Sequence, residues 1–383
     1  MGIPSLFRTL VNNYSDIHYW RNENIDQLYL DYNCLIHHCK AKLKVTKSMT
    51  LRDIEEDLIT DIINYTSHII TEVIKPKKLV YIAIDGPVPM GKLVKQRARR
   101  YKKIQDDGYM KKTKQKLEIE SLMQFDSNKI TPGTPFMSKL CSRLKNFIML
   151  GSFSSHIKVE DRNKSYKVFL SDANIAGEGE QKIMNFIRNG HKNHLKNTPA
   201  TVIYGLDADL IVLSMALERS NVKLLREPTN LSEELELKYS ECEFLYLDID
   251  KISDALLKEY KLQEYDRKKV IQDFLFFSFF GGNDFVEPFI NTKMRDKGLD
   301  KLFLGYREVL KTNEYLLNEN GYPNQLQFTI LLKYLADTED VTCKKANLKQ
   351  DRYEKKPNAK ASKDEKLRYE MNKYEHTLYK NEM

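Results

Sequence analysis

Seven acidic residues share one local context. Asp31, Asp85, Asp207 and Asp209 follow the short β-rich runs LYLD, LVYIAID and TVIYGLDAD; Glu178 and Glu180 lie in the glycine-containing stretch GEGE; Asp284 follows two glycines in GGND. Carboxylates brought together repel one another unless a hard cation such as Mg²⁺ or Mn²⁺ takes their oxygens. The doublets GEGE and DAD place acids two residues apart, close enough to bridge ions if the backbone bends. Two such ions about 4 Å apart can activate a water, hold a scissile phosphate and stabilise the leaving oxygen. The chemistry these residues suggest is therefore metal-dependent phosphodiester hydrolysis. One aspartate after a strand is more often only a helix cap, but seven in the same context are hard to explain that way.

A second group supplies the opposite charge. The chain carries a net charge of +8, and the segment from Lys92 to Lys116 alone holds 11 Lys/Arg against 2 Asp, more than the whole excess. One concentrated basic segment on an otherwise balanced protein points to a polyanion, RNA or DNA being the commonest. Lys92, Gln96, Arg99 and Arg100 fall at i, i+4, i+7 and i+8, one face of a helix that begins just after the strand bearing Asp85. One amide, three cations and the positive end of the helix dipole would make a pocket for a terminal phosphate. The flanking Lys95, Arg97, Lys102 and Lys103 suit a generic track along the nucleic-acid backbone.

These residues need a scaffold, and the pattern implies an α/β fold with a central, mainly parallel sheet and helices on both faces. Five β-rich runs end on acids, at Asp31, Asp85, Asp172, Asp207 with Asp209, and Asp248 with Asp250. The carboxyl ends of parallel strands line the ligand crevice, so these acids are expected to meet. A polar helix from Met110 should break at Pro132, Gly133 and Pro135, and the run Ile271 to Phe280 should be a buried helix delivering GGNDFVEPF to the centre. Beyond about Glu339 the composition turns charged and Lys-rich.

The five cysteines, Cys34, Cys39, Cys141, Cys242 and Cys343, are thinly spread, which argues for a reducing compartment and no disulfides. Cys34, His37, His38 and Cys39 make at most half a zinc site, with no second pair at ligand spacing, and are read as two small buried residues and two local histidines. No apolar run is long enough to span a membrane, so a soluble, intracellular protein without membrane association is expected.

The blocks MGIPSLFRTL, LYLDYNCLIHHC, IDGPVPMGKLVKQRARR, FDSNKITPGTPFM, GEGEQKIMNFIR, YGLDADLIVLSMA and GGNDFVEPF resemble, in order and spacing, those of the XRN family of 5′-to-3′ exoribonucleases. The resemblance implies a PIN-like nuclease fold, related more distantly to flap endonucleases. It also implies Mg²⁺-dependent release of nucleoside monophosphates from single-stranded RNA bearing a 5′-monophosphate, in the cytoplasm or nucleus and with a possible protein partner such as a decapping factor. It assigns the metals to Asp31, Asp85, Glu178, Glu180, Asp207, Asp209 and Asp284, the 5′-phosphate pocket to Lys92, Gln96, Arg99 and Arg100, and stacking on the first base to His37. Residues 1–338 are expected to form the nuclease domain and 339–383 a charged tail with a short helix. Family members continue with a second large block that walls the site and supplies a stacking tryptophan; here the chain ends instead, so a minimal enzyme or a shortened form is expected, and Trp20, the only tryptophan, lies in another block. The alternatives are a structure-specific DNA nuclease of the same superfamily and a catalytically silent RNA- or protein-binding relative.

Overall fold

The computed structural model describes residues 18–19, 24–120, 123–151, 166–190, 198–229, 233–283, 285–293, 297–350 and 362–381. Its strands are β1 (His18–Tyr19), β2 (Gln27–Asp31), β3 (Leu79–Ala83), β4 (Lys167–Ser171), β5 (Thr201–Tyr204), β6 (Val222–Arg226) and β7 (Leu245–Asp248). They form one sheet in the order β1-β7-β6-β5-β2-β3-β4. The five strands from β6 to β4 are parallel, whereas β7 and β1 are added antiparallel.

The helices are α1 (Tyr32–Lys42), α2 (Leu51–His68), α3 (Met90–Lys116), α4 (Pro135–Met149), α5 (Gly179–Gly190), α6 (Asp209–Met215), α7 (Glu233–Lys238), α8 (Ile249–Glu259), α9 (Arg267–Ser278), α10 (Gly298–Leu310), α11 (Gln325–Gln350) and α12 (Lys363–Asn381). The period-2 alternation of the strands divides them between two cores. Tyr29, Tyr81 and Ile203 enter one with Met184, Leu210, Leu256, Phe274, Phe303 and Leu331 of the later helices. Leu28, Leu30, Val80, Ile82 and Val202 enter the other with Leu35, Leu58 and Leu140 of α1, α2 and α4. Helices thus cover both faces, as the sequence pattern requires.

Local signals explain the helix starts. Thr50 and Asp53 form a reciprocal capping box at α2, and Thr134 caps α4 with Pro135 in its first turn. Two features depart from expectation. First, the basic and polar segments form one continuous helix, α3, which ends at Lys116 with Glu118 at φ +53°, well before Pro132. Only Lys92 and Thr113 of α3 are buried. Its far half packs on α12, where Tyr109 stacks on Tyr374 with centroids 4.1 Å apart. Second, not all strand-end acids converge. Asp172 binds Lys145 and the amide of Asn174, and β7 runs the other way, so Asp248 caps α8 and Asp250 pairs with Arg267. Helix α11 runs uninterrupted from Gln325 to Gln350. Among the described residues no helix is long and apolar enough to cross a membrane.

Candidate active site

The chain leaves β2 for β3 and β4 on one side and returns to β5 and β6 on the other. Such a reversal opens a crevice at the carboxyl ends of the central strands. Asp31 is the last residue of β2, Asp85 follows β3, Asp207 follows β5, and Asp209 starts α6. Glu178 and Glu180 arrive from the loop between β4 and α5. Gly177 turns that loop at φ +107°, in the left-handed region that favours glycine. Gly179 serves by close approach: a Cβ there would lie 2.5 Å from Asp31 Oδ1 and 3.0 Å from the Ala83 carbonyl. Its N–H donates to Asp85 Oδ1 at 2.7 Å.

The crevice is electrostatically unbalanced. Asp31 is 5% exposed, and burial, followed by Asp85, pushes its carboxyl well above the usual range, with Asp207 and Glu178 adding and the Cys34 thiol opposing. Burial also raises Asp85, against the N–H of Gly179. Glu180 is 8% exposed and is pushed up to about 9 by burial and then by Asp31, Asp209, Glu178 and Asp207. Among the described residues no hydrogen bond or ion pair reaches its carboxylate. Buried carboxylates facing one another, one of them without a protein donor, are a donor set that a hard dication completes. Six of the seven proposed ligands are therefore together; Asp284 lies outside the described residues. Its neighbours lie against α3, where Lys95 Nζ donates to the Asn283 carbonyl at 3.3 Å and the Phe285 ring faces Gly91.

The basic face is divided. Lys92, 4% exposed, sits 2.5 Å from Glu178 Oε1 and so joins the start of α3 to the acids. Gln96, Arg99 and Arg100 are half-buried on the following turns. Arg100 lines a cleft of about 400 Å³ with Arg97, Tyr101, Ile104 and Asn128, so a residue expected on the backbone track shares its surroundings. His37 is exposed on α1, whereas His38 is buried, stacks on Tyr65 at 5.0 Å and lies 3.5 Å from Glu227. Trp20 lies outside the described residues.

Sequence reading missed three residues. Asn33 clamps two strand ends, donating to Asp85 Oδ2 at 2.8 Å while its Oδ1 accepts the Asp85 amide at 3.2 Å. Buried Lys182 donates to the carbonyls of Ile84 and Asp172 at 2.7 and 2.9 Å and so supports the Asp85 loop. Cys34 is no filler of the core: its thiol donates to Asp31 Oδ2 at 3.1 Å and shares a ligand-sized cluster with Asp31 and Asp207. The available signal is position, because the first turn of a helix after a strand folds back over the strand's last residue.

A family model described as the XRN 5′-3′ exonuclease N-terminus matches residues 1–228, and one described as the Xrn1 helical domain matches residues 264–382. The chain is 34% identical to 5′-3′ exoribonuclease 1 of Saccharomyces cerevisiae over 366 residues, covering 88% of this chain and 23% of that protein. It is 34% identical to 5′-3′ exoribonuclease 1 of Schizosaccharomyces pombe, covering 88% and 26%, and 30% identical to 5′-3′ exoribonuclease 2 of Kluyveromyces lactis, covering 92% and 40%. The chain thus spans between about a quarter and two fifths of the length of these relatives. Among solved structures, the catalytic core of Rad2 in complex with DNA substrate superimposes with a TM-score of 0.34 at 10% identity, covering 86% of this chain and 85% of that one, too distant to carry an argument. With more than half of its length matched by the exonuclease model, the chain belongs to the XRN 5′-to-3′ exonuclease family.

Proposed function

We propose that the chain is the nuclease part of a 5′-to-3′ exoribonuclease, acting in the cytoplasm or nucleus on single-stranded RNA with a 5′-monophosphate and releasing nucleoside monophosphates. The observation that carries this reading is the Lys92–Glu178 contact at 2.5 Å, which sets the start of the basic helix against the acidic crevice. Asp31, Asp85, Glu178, Glu180, Asp207 and Asp209, with Asp284 on the resemblance, are the ligands for two Mg²⁺ ions, which Mn²⁺ can replace. Bound there, the ions supply a polarised phosphate and an acidified water.

The chain's own residues position the substrate. Lys92, Gln96, Arg99 and Arg100 hold the 5′-phosphate, and the exposed His37 ring offers a face to the first base. An end anchored at α3 leaves the next phosphodiester at the crevice, which sets both the direction and the mononucleotide product. Asn33 and Gly179 keep the Asp85 carboxylate aimed into the crevice through the hydrogen bonds described above. A decapping factor, or another activity that leaves a 5′-monophosphate, is the partner such a pocket requires. The test is incubation with Mg²⁺ and RNA bearing 5′-monophosphate, 5′-triphosphate or 5′-hydroxyl ends, beside matched DNA. Mononucleotides released fastest from 5′-monophosphate RNA are expected; equal rates on DNA, or internal cuts, overturn the reading.

A further inference from the structure

We propose that Asp31, Cys34 and Asp207, with Glu180 beside them, form a site for a thiophilic divalent cation such as Zn²⁺, in which Cys34 is the sulfur ligand and which competes with the hard ion of the crevice. One ligand atom from each of Asp31, Cys34 and Asp207 lies within 4.8 Å of the others, the only such group among the described residues. Metal–oxygen bonds of about 2.0 Å and a zinc–sulfur bond of about 2.3 Å place tetrahedral ligand atoms roughly 3.5 Å apart. The 3.1 Å between Cys34 Sγ and Asp31 Oδ2 is already near that edge. Glu180 is an independent pointer: the residue is 8% exposed, its acidic neighbours include Asp31 and Asp207, and its carboxylate receives no hydrogen bond or ion pair among the described residues.

Sulfur changes what the crevice selects. Mg²⁺ and Mn²⁺ take oxygen, whereas thiolate favours Zn²⁺ and its soft relatives, which also stand above Mn²⁺ in general affinity for such sites. As the sulfur–metal bond forms, the thiol proton passes to solvent. A soft ion held by Asp31, Cys34 and Asp207 occupies two of the carboxylates that the hard ion needs. Zn²⁺ is therefore expected to inhibit where Mg²⁺ supports turnover. The competition, though not the binding, rests on the proposed function.

The test uses the full chain, with Co²⁺ and Cd²⁺ as optical probes and Mn²⁺ as the hard-ion control. Co²⁺ and Cd²⁺ should each give a sulfur-to-metal charge-transfer band at about one equivalent, absent in Cys34→Ser. Cd²⁺ affinity should fall on the order of tenfold or more in that variant while Mn²⁺ affinity changes less than about threefold. Circular dichroism checks the fold, and Cys34→Ala should repeat the loss. No band in a protein that binds Mn²⁺, or a band that survives in Cys34→Ser, overturns the proposal. A band without Mn²⁺ binding would keep the soft site and overturn the hard-metal reading instead.

Discussion

Glu180 and Asp273 are both buried acids, at 8% and 1% exposure, and burial raises both above the usual carboxylate range. Their surroundings differ. Asp273, in α9, accepts the Tyr306 hydroxyl at 2.7 Å and the amides of Leu316 and Leu317 at 2.7 and 2.9 Å, tying α10 and the following loop to its helix. Glu180 faces Asp31, Asp209, Glu178 and Asp207, with no such donor among the described residues. Burial does not distinguish a structural carboxylate from a functional one; the supply of donors does. A buried acid with donors completes the fold, whereas one surrounded by acids is waiting for a cation.

The largest effect that can break this comparison is on the crevice side. Asp207→Ala and Asp209→Ala should lower single-turnover RNA cleavage about a thousandfold or more while filter binding of RNA remains measurable. Full activity in either variant would remove these acids from the metal site. On the other side, Asp273→Ala strands a hydroxyl and two amides and should lower the unfolding free energy by about 3 kcal/mol, read from denaturant midpoints, with Mn²⁺ affinity unchanged. Glu180→Gln should show the reverse, weaker Mn²⁺ binding without loss of stability. If Glu180→Gln destabilises as much as Asp273→Ala, the two acids are alike and the comparison fails.

Two smaller effects sharpen it. Arg100→Ala should slow cleavage of 5′-monophosphate RNA by roughly one to two orders of magnitude, the value of about 1.5 to 3 kcal/mol for a charge-assisted bond. It should scarcely touch 5′-hydroxyl RNA; equal slowing of both would make α3 only a backbone track. The smallest effect is a pH slope. A carboxylate whose folded pKa is raised gives stability that is present below its unfolded pKa and lost as pH rises through the folded one. For Glu180 that window ends at about 9. In EDTA the melting temperature should therefore fall between about pH 5 and pH 9, more shallowly in Glu180→Gln, and Mg²⁺ should offset the loss by binding the folded state. A melting temperature that rises with pH over this range would show that cations of the chain already balance the crevice.

Much of the site was legible in the one-dimensional pattern. Strand runs ending on Asp31, Asp85 and Asp207 could be placed because β-rich segments alternate with helical ones, and the GEGE loop because glycines bracket its acids. The same rule overreached at Asp172, Asp248 and Asp250, since it assumes that every strand points the same way and that every strand-end acid lacks a closer partner. β6, VKLLR, ends on Arg226 and so lacks the acidic signature of the other runs, yet the antiparallel turn to β7 depends on it. Asn33, Cys34 and Lys182 looked like ordinary helix residues because their partners are distant in sequence or depend on how α1 leaves β2.

The sequence alone determined the residue types, their spacing, the alternation of strand and helix, and the placement of the whole positive excess on α3. Those are local properties, set by side-chain chemistry and backbone period. Only the tertiary structure decided which acids share a crevice, which are satisfied by Lys145 or Arg267, and that a sulfur stands among the oxygens. Such choices depend on strand direction and on approaches of a few ångströms between segments distant in the chain, and no local pattern encodes those distances.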